Sequence, residues 1–507
     1  TPIRRPFAVD ESLSLQRHRH CKLLGQTTAL DACLIGLGSF NEKNETASRV
    51  GTLRQVGGSE YFSTYDDADV PVPDDETRAL AEIEAVVGRH GPALIDIYFR
   101  NVHPSYPILQ KSALLDRIRH DDLQFNPASA RCMYVLALSW WDRRSGSGAA
   151  SKARHCKAGA RCYDWVDAGD AATEDLSGTS GFHSARTLVY IWTARAGRFQ
   201  TGEKRLRKRL AWALYMQDKW SALMHGRPSH INAADWSVRE PAVEDFDENI
   251  PPFSESASLE SEDEAETTKG RTIFMQMIQL TRLLSDICDV FYSQTAKQEY
   301  ARAGRFATQL VLNRAKPVQL RLKEWFAKLP PGGAKMDNYT PWPRCPQLGI
   351  YIWGTSQRRS ASIAGSYRVW TLPSATRTCS TFCRSAAKTR LISAMDYVNR
   401  LKPEHLDAFW YFASASNFSL IGTFGSLLLA TSPGQEEAEF YASRLQEFKW
   451  TLGVSAKKAS WIQGAMDMLE ANGGDVAGSA VEAANDAADE EEGGHGYWGF
   501  HVAEWLL

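Results

Sequence analysis

Arg205-Leu-Arg-Lys-Arg-Leu-Ala-Trp-Ala-Leu-Tyr-Met-Gln-Asp-Lys-Trp220, running on to Gly226-Arg-Pro228, decides the reading of this chain. Within it Leu210–Met216 is apolar on every side, which predicts a helix buried inside a bundle rather than resting on one. Gly226 followed by Pro228 supplies its stop: glycine accepts the left-handed turn that ends a helix, and proline cannot continue it. Ile273, Met277, Leu280, Leu284, Ile287 and Phe291 recur at helical spacing and predict one apolar stripe on a long helix. Tyr441, Leu445, Phe448 and Leu452 repeat that pattern. Acidic residues near Asp74 open a helical segment that runs to Val87. Pro92, tolerated in a first turn, starts another helix to about Val102, and Pro104 and Pro107 end it with extended chain. Lys111–Arg119 and Ser129–Trp141 read as further helices. No convincing run of alternating strands is present, so the fold class is all-α.

Three regions follow from composition. Residues 1–72 mix Gly, Asp, Thr and Pro with little periodicity and read as an irregular segment over the surface. Residues 73–470 make the large multi-helix domain, in which Glu255–Glu266, rich in Ser, Glu and Asp, reads as a solvated loop. Residues 471–507 form a Gly/Ala-rich tail that turns acidic (Asp486, Asp489, Glu490, Glu491, Glu492). It ends in Tyr497-Trp498-Gly499-Phe500 and Trp505-Leu506-Leu507. Acidic residues beside aromatics could form an activation-type contact surface, but composition alone favours the plain reading, a disordered acidic tail.

The 507 residues are 43% hydrophobic, enough for a large core, and the net charge of −2 gives no global attraction to nucleic acid. The most apolar long stretch, Phe418–Ala430, suits a buried helix better than a membrane span of about 20 residues. With no amino-terminal targeting signal visible, a soluble intracellular protein is expected. The chain opens on Thr1 rather than methionine, so further sequence upstream is expected. The nine cysteines, at positions 21, 33, 132, 156, 162, 288, 345, 379 and 383, are odd in number and scattered, which argues against a disulfide framework. The tightest pair, Cys379 and Cys383, has no neighbouring ligands to complete a zinc site. No metal, cofactor or catalytic group is therefore assigned to this chain.

Two stretches carry a resemblance to a known family. Ala93–Leu115, with Tyr98-Phe99, His103-Pro104 and Pro107-Ile108-Leu109, and Leu206–Ile231 resemble the regulatory region of fungal zinc-cluster transcription factors, often called the middle homology region. Gly25-Gln-Thr-Thr-Ala-Leu30, Gln217-Asp-Lys-Trp220, His225-Gly-Arg-Pro-Ser-His-Ile231 and Cys383-Arg-Ser-Ala-Ala-Lys-Thr-Arg390 are similar to a narrower group. So are Phe409-Trp-Tyr-Phe412 and Leu420-Ile-Gly-Thr-Phe-Gly425; the group is the TamA-like co-activators of fungal nitrogen metabolism. The resemblance implies a nearly all-helical domain that tunes RNA polymerase II transcription in the nucleus through contacts with other factors. It also implies an amino-terminal cluster of six cysteines that binds zinc and DNA; this chain lacks one, so it is expected before Thr1. His103, Pro104, Pro107, Arg207, Arg209, Trp212, Asp218, Trp220, Gly226, Arg227 and Pro228 match the family motifs and are expected to be mainly structural. The alternative reading is a helical adaptor without transcriptional activity.

Two windows depart from the pattern. Leu176–Gly202 and Tyr339–Phe382 contain no Asp or Glu and show no helical stripe, where the resemblance implies amphipathic helices. Plausible codons for both, read two bases over, give strings with helical apolar spacing. Both windows therefore read as translated out of frame, against a simple pair of basic loops.

No motif for enzyme chemistry is present: no Gly-x-Ser-x-Gly elbow, phosphate loop or His-Glu-x-x-His. Arg205–Arg209 could contact phosphates or act as an import signal, but it leads into a buried helix, so its charges are expected to form that helix's solvated face or to pair with nearby acids. His225 and His230 flank a turn without carboxylate or cysteine partners at ligand spacing, so turn-stabilising hydrogen bonds are expected of them. The acidic clusters Asp74-Asp75 and Glu262–Glu266 look solvated rather than poised for acid–base work. Trp140-Trp141, Trp212, Trp220 and Phe409–Phe412 could line a metabolite pocket, yet core packing is the default for aromatics at helical spacing.

Overall fold

The computed structural model describes residues 19–24, 32–36, 38–48, 51–55, 61–66, 87, 90–109, 111, 133–134, 136–137, 140, 201–246, 260–329, 377–406, 408–459 and 461–473. Of these, 74% are helical, in keeping with an all-α fold. The chain divides into two compact units, one of Thr1–Tyr65, Asp218–Ala233 and Gln279–Leu507, the other of Asp66–Gln217 and Ala234–Ile278.

In the first unit four short strands, β1 (Arg19–Leu23), β2 (Glu45–Ser48), β3 (Gly51–Gln55) and β4 (Tyr61–Asp66), form one sheet in the order β1-β4-β3-β2. β2/β3 and β3/β4 are antiparallel, with Glu45 opposite Arg54 and Leu53 opposite Ser63. The turn into β2 is set by Asn41, whose Oδ1 accepts the N–H groups of Lys43 and Glu45 at 2.9 Å each. It lets Asn44 take φ 58°, a conformation that asparagine tolerates. Leu53 and Tyr61 pack against Ile35 of the short helix α1 (Ala32–Gly36). This sheet corrects the irregular segment expected there: strands of four to six residues are too short to establish a period of two.

The larger core of this unit lies among α7 (Arg377–Asn399), α9 (Ser414–Ala430), α10 (Gln435–Ala456) and α11 (Trp461–Gly473). α9 is central. Phe418, Ile421, Phe424 and Leu428 are at most 1% exposed, and glycines at 422 and 425 admit Leu469 and Leu445 against its backbone. The predicted stripe on α10 is buried as read, Tyr441, Leu445, Phe448 and Leu452 all pointing into this core. A second cluster joins Ile287 and Phe291 to Val311, Ala315 and Val318 of α6 (Ala307–Ala327), with α5 (Gln294–Ala303) alongside. α8 (Pro403–Leu406) is a single turn.

In the second unit α2 (Gly91–Asn101) has Pro92 in its first turn and buries Leu94, Ile97, Tyr98 and Phe99. The rings of Tyr106 and Phe246 each meet Phe274 edge-on, at 5.4 and 5.9 Å. Parts of α3 (Thr201–His225) and α4 (Glu260–Phe291) fall in each unit. The α4 stripe is buried throughout, from Ile273 to Phe291. α4 begins at Glu260, so most of the loop expected over 255–266 is helix. Glutamate and alanine are good helix formers, and acidic residues suit a helix amino terminus, where the dipole favours negative charge. Those residues therefore belong to a helix start as well as to water, and the Glu262–Glu266 cluster sits there rather than in a loop.

Residues 176–200 and 339–376 of the two acid-free windows lie outside the described residues, as do most of the helices expected over 74–87, 111–119 and 129–141 and the tail from 474. Residues 201–202 and 377–382 are helical.

Candidate functional site

α3 ends as its sequence dictates. Gly226 takes φ 64°, its N–H donates to the Leu223 carbonyl, and the Arg227 N–H donates to the Ala222 carbonyl at 3.0 Å. These two bonds satisfy carbonyls that the last turn leaves open. What fixes the chain beyond the turn is a pair of charged residues from inside the helix. The Asp218 carboxylate, 1% exposed, accepts the backbone N–H groups of His230 (2.9 Å) and Ile231 (3.1 Å) and the Ser229 hydroxyl. His230 Nδ1 stands 3.2 Å from the same carboxylate. Lys219 Nζ donates to Ser229 Oγ and to the Ile231 carbonyl. Trp220 completes the group, its ring fully buried and its Nε1 donating to Thr281 Oγ1 at 3.0 Å. The result is a buried polar latch that holds Ser229–Ile231 and leaves Arg227 and Pro228 at the surface.

Burial tunes two members of this neighbourhood. Desolvation pushes the Lys219 ammonium below the ordinary lysine range, against the pull of Asp218 and Asp289. Desolvation likewise pushes Asp289 above the ordinary carboxylate range, with Lys219 opposing it.

Asp289 also lines an open groove of about 570 Å³ between α4, α5 and α6. Its floor is Val290, Ala296, Pro317 and Val318, and its walls carry Asp286 paired with Arg321 and Glu299 paired with Arg314. Such paired walls hold charge in place; they do not arrange an acid and a base around a reacting atom.

The second unit gathers the other motif residues into two structural clusters. Lys208 pairs with Asp245 at 2.7 Å, and Arg209, only 4% exposed, lies over the Phe246 ring. Arg207 is half-buried on the same turns. The basic run is thus partly interior, and Lys208 makes the pairing with a nearby acid, one of the two structural roles expected of it. Trp212 donates from Nε1 to the Arg239 carbonyl at 2.8 Å and stacks edge-on with Tyr215 and Trp236. His103 sits beside the Phe99 ring, 5.1 Å between centroids, with Nε2 3.0 Å from the Leu109 carbonyl. Pro107 is buried, and the Pro104 carbonyl abuts the backbone at Gly270. Of the aromatics weighed as pocket walls, Trp212, Trp220, Phe409, Trp410 and Tyr411 are core, at most 8% exposed, and Trp410 stacks against Phe418 and Trp461; Phe412 is 40% exposed, and Trp141 lies outside the described residues.

Sequence reasoning missed Lys219, Ser229 and Arg384 as positioning residues. Arg384 of α7 is buried and spans the carboxyl end of α9. It donates to the carbonyls of Leu428 (2.7 Å) and Thr431 (2.6 Å) and to Glu437 Oε1 (3.0 Å). Among the described residues no group of three or more His, Cys, Asp or Glu could hold a metal ion, and the sequence has no six clustered cysteines. The zinc cluster implied by the resemblance does not fit the residues of this chain. No helix of the described residues is long and apolar enough to cross a membrane.

Residues 176–327 match the model of the fungal specific transcription factor domain. The transcriptional activator protein DAL81 of Saccharomyces cerevisiae is 27% identical over 476 residues, 83% of this chain and 48% of that protein. An uncharacterized transcriptional regulatory protein of Schizosaccharomyces pombe is 24% identical over 262 residues, 45% of this chain and 37% of that protein. The chain therefore spans half or less of the length of these curated relatives. No solved structure matches. On these matches residues 176–327 are similar to a fungal specific transcription factor domain, and the relatives matched along the chain are transcriptional regulators.

Proposed function

We propose that this chain is the regulatory and co-activator region of a nuclear fungal transcription factor that acts on RNA polymerase II genes for nitrogen utilisation. The observation that carries the reading is similarity to a transcriptional activator along 83% of the chain. The buried chemistry is compatible with it. Asp218, Lys219 and Arg384 spend their hydrogen bonds on turns and helix ends, which serves a surface that must be presented rather than a substrate that must be converted. The region works by contact with other transcription factors or co-activators. DNA is reached only through a zinc cluster lying outside these residues. The TamA-like kinship read in the sequence points to secondary nitrogen sources as the signal.

The test is to fuse the full chain to an unrelated DNA-binding module and read a reporter gene, alongside growth of a strain lacking the gene. Reporter activation, with poor growth on secondary nitrogen sources and normal growth on ammonium, is expected. A silent reporter with unchanged growth overturns the reading.

A further inference from the structure

α10 buries one face completely and leaves an unusual residue on the other. Trp450 is 70% exposed and Val454, one turn on, is 48% exposed, whereas Tyr441 and Leu452 on the inner face are 0%. Trp450 and Val454 lie one turn apart at i and i+4, and Lys457, exposed at i+7, caps the helix, so the face is apolar and then basic at the helix end. The carboxylate one turn before Trp450, Glu447, is held by Arg444 at 2.8 Å and by Asn399 at 2.9 Å. An apolar patch with a basic rim marks a contact surface, and it selects a partner that is aromatic and acidic.

The same chain carries that composition close by. Residues 474–507 contain Asp475, Glu482, Asp486, Asp489, Glu490, Glu491, Glu492 and Glu504 and no Lys or Arg, and they end in Tyr497, Trp498, Phe500 and Trp505. This tail follows directly from α11, which packs beside α10: a Cβ added at Gly453 would meet Met466 at 3.7 Å. The stretch from Gly473 to Tyr497 reaches roughly 80 Å when extended, at about 3.3 Å per residue. α10 has 22 residues and is about 33 Å long, so every point on it is within range.

We infer that the carboxy-terminal acidic and aromatic tail docks in cis on the Trp450–Val454 face of α10, its aromatic end over Trp450 and its acidic run against Lys457. Docking hides the tail's aromatics until a competitor displaces it. The contact is intramolecular and exists whether or not the region acts in transcription.

The test places a photo-crosslinking benzoyl-phenylalanine at 454 in the full chain, mixed with an isotope-labelled copy, and maps the crosslinks by mass spectrometry. Crosslinks to residues 493–507 of the same chain, weakened by high salt, are expected. Crosslinks confined to the other copy, to another segment, or to none overturn the contact in cis. A footprinting comparison guards against a poorly reacting probe: hydroxyl-radical labelling of Trp450 rises several-fold when the chain ends at Gly473, and unchanged labelling also overturns it.

Discussion

The Asp218 carboxylate reaches past the end of its own helix to accept the His230 N–H at 2.9 Å, twelve residues on, so a buried charge sets the course of the chain after Gly226. Its neighbour Lys219 is equally committed, donating to the Ile231 carbonyl. Removing one member of such a pair leaves the other buried and uncompensated, which costs about 3–5 kcal/mol. Asp218→Ala should lower stability by that amount in urea unfolding, whereas Arg227→Ala, on an exposed side chain, should change it by less than about 0.5 kcal/mol. Equal effects at the two positions would refute the latch.

The latch also predicts a pH dependence. Burial lowers the Lys219 pKa from 10.5, so in the window just below 10.5 the unfolded chain binds more protons than the folded one. Stability contributed by this residue therefore rises with pH through that window. Tyr441 acts in the opposite sense: burial and the Glu437 hydrogen bond raise its pKa above 10.0, so its contribution falls once unfolded phenols ionise. The two separate in a difference experiment. Lys219→Met should flatten the rise in unfolding free energy below pH 10 relative to the parent chain, and an unchanged slope would show that Lys219 is not desolvated.

Asp289 gives the acid-side counterpart. Its raised pKa means the folded chain holds a proton that the unfolded chain has released just above 3.8. Its contribution is thus present below 3.8 and lost as pH rises through the folded value. Asp289→Asn keeps the shape and removes that loss, so thermal melting at neutral pH should move upward. A downward shift would mean that the attraction between Asp289 and Lys219 outweighs the burial of the carboxylate.

Signals held within one short window, periodicity above all, were what made the long elements legible. The six-residue stripe from Ile273 to Phe291 and the stripe from Tyr441 to Leu452 are contiguous in sequence, so a single window carries the whole signal. The stop at Gly226–Pro228 was readable for the same reason. Arg384 was not, because its partners lie 44 to 53 residues away on α9 and α10, and no local pattern joins them. Asp218 stood in a recognised motif, but its work depends on Ser229–Ile231 folding back, which only the turn geometry fixes. The short strands around Leu53 fell below the length at which alternation means anything.

Close backbone approach predicts a sharp contrast between two glycines. A Cβ at Gly270 would stand 1.6 Å from the Pro104 carbonyl oxygen, and neither backbone has a flexible end to yield. Gly270→Ala should destabilise by about 1–3 kcal/mol or more, the range for forced overpacking. At Gly464, on the exposed face of α11, nothing lies within 4 Å, and alanine there should stabilise by about 0.5–1 kcal/mol through helix propensity. Denaturant midpoints moving in opposite directions would support the pair, and a tolerated Gly270→Ala would mean the two segments are not in contact.

Arg384 makes the last distinction, between charge and shape. Its Nε faces Glu437 while its two terminal nitrogens reach the Leu428 and Thr431 carbonyls, three acceptors in different directions around one planar group. A lysine ammonium keeps the charge but is a single point on a flexible stem and cannot serve all three. Arg384→Lys should therefore lose most of what Arg384→Ala loses, about 3 kcal/mol for two open carbonyls and a partly buried Glu437 left with only its Tyr441 hydrogen bond. Hydrogen exchange at the carboxyl end of α9 should rise in both variants before the remainder of that helix responds. Full stability in Arg384→Lys would mean that charge alone secures this helix end.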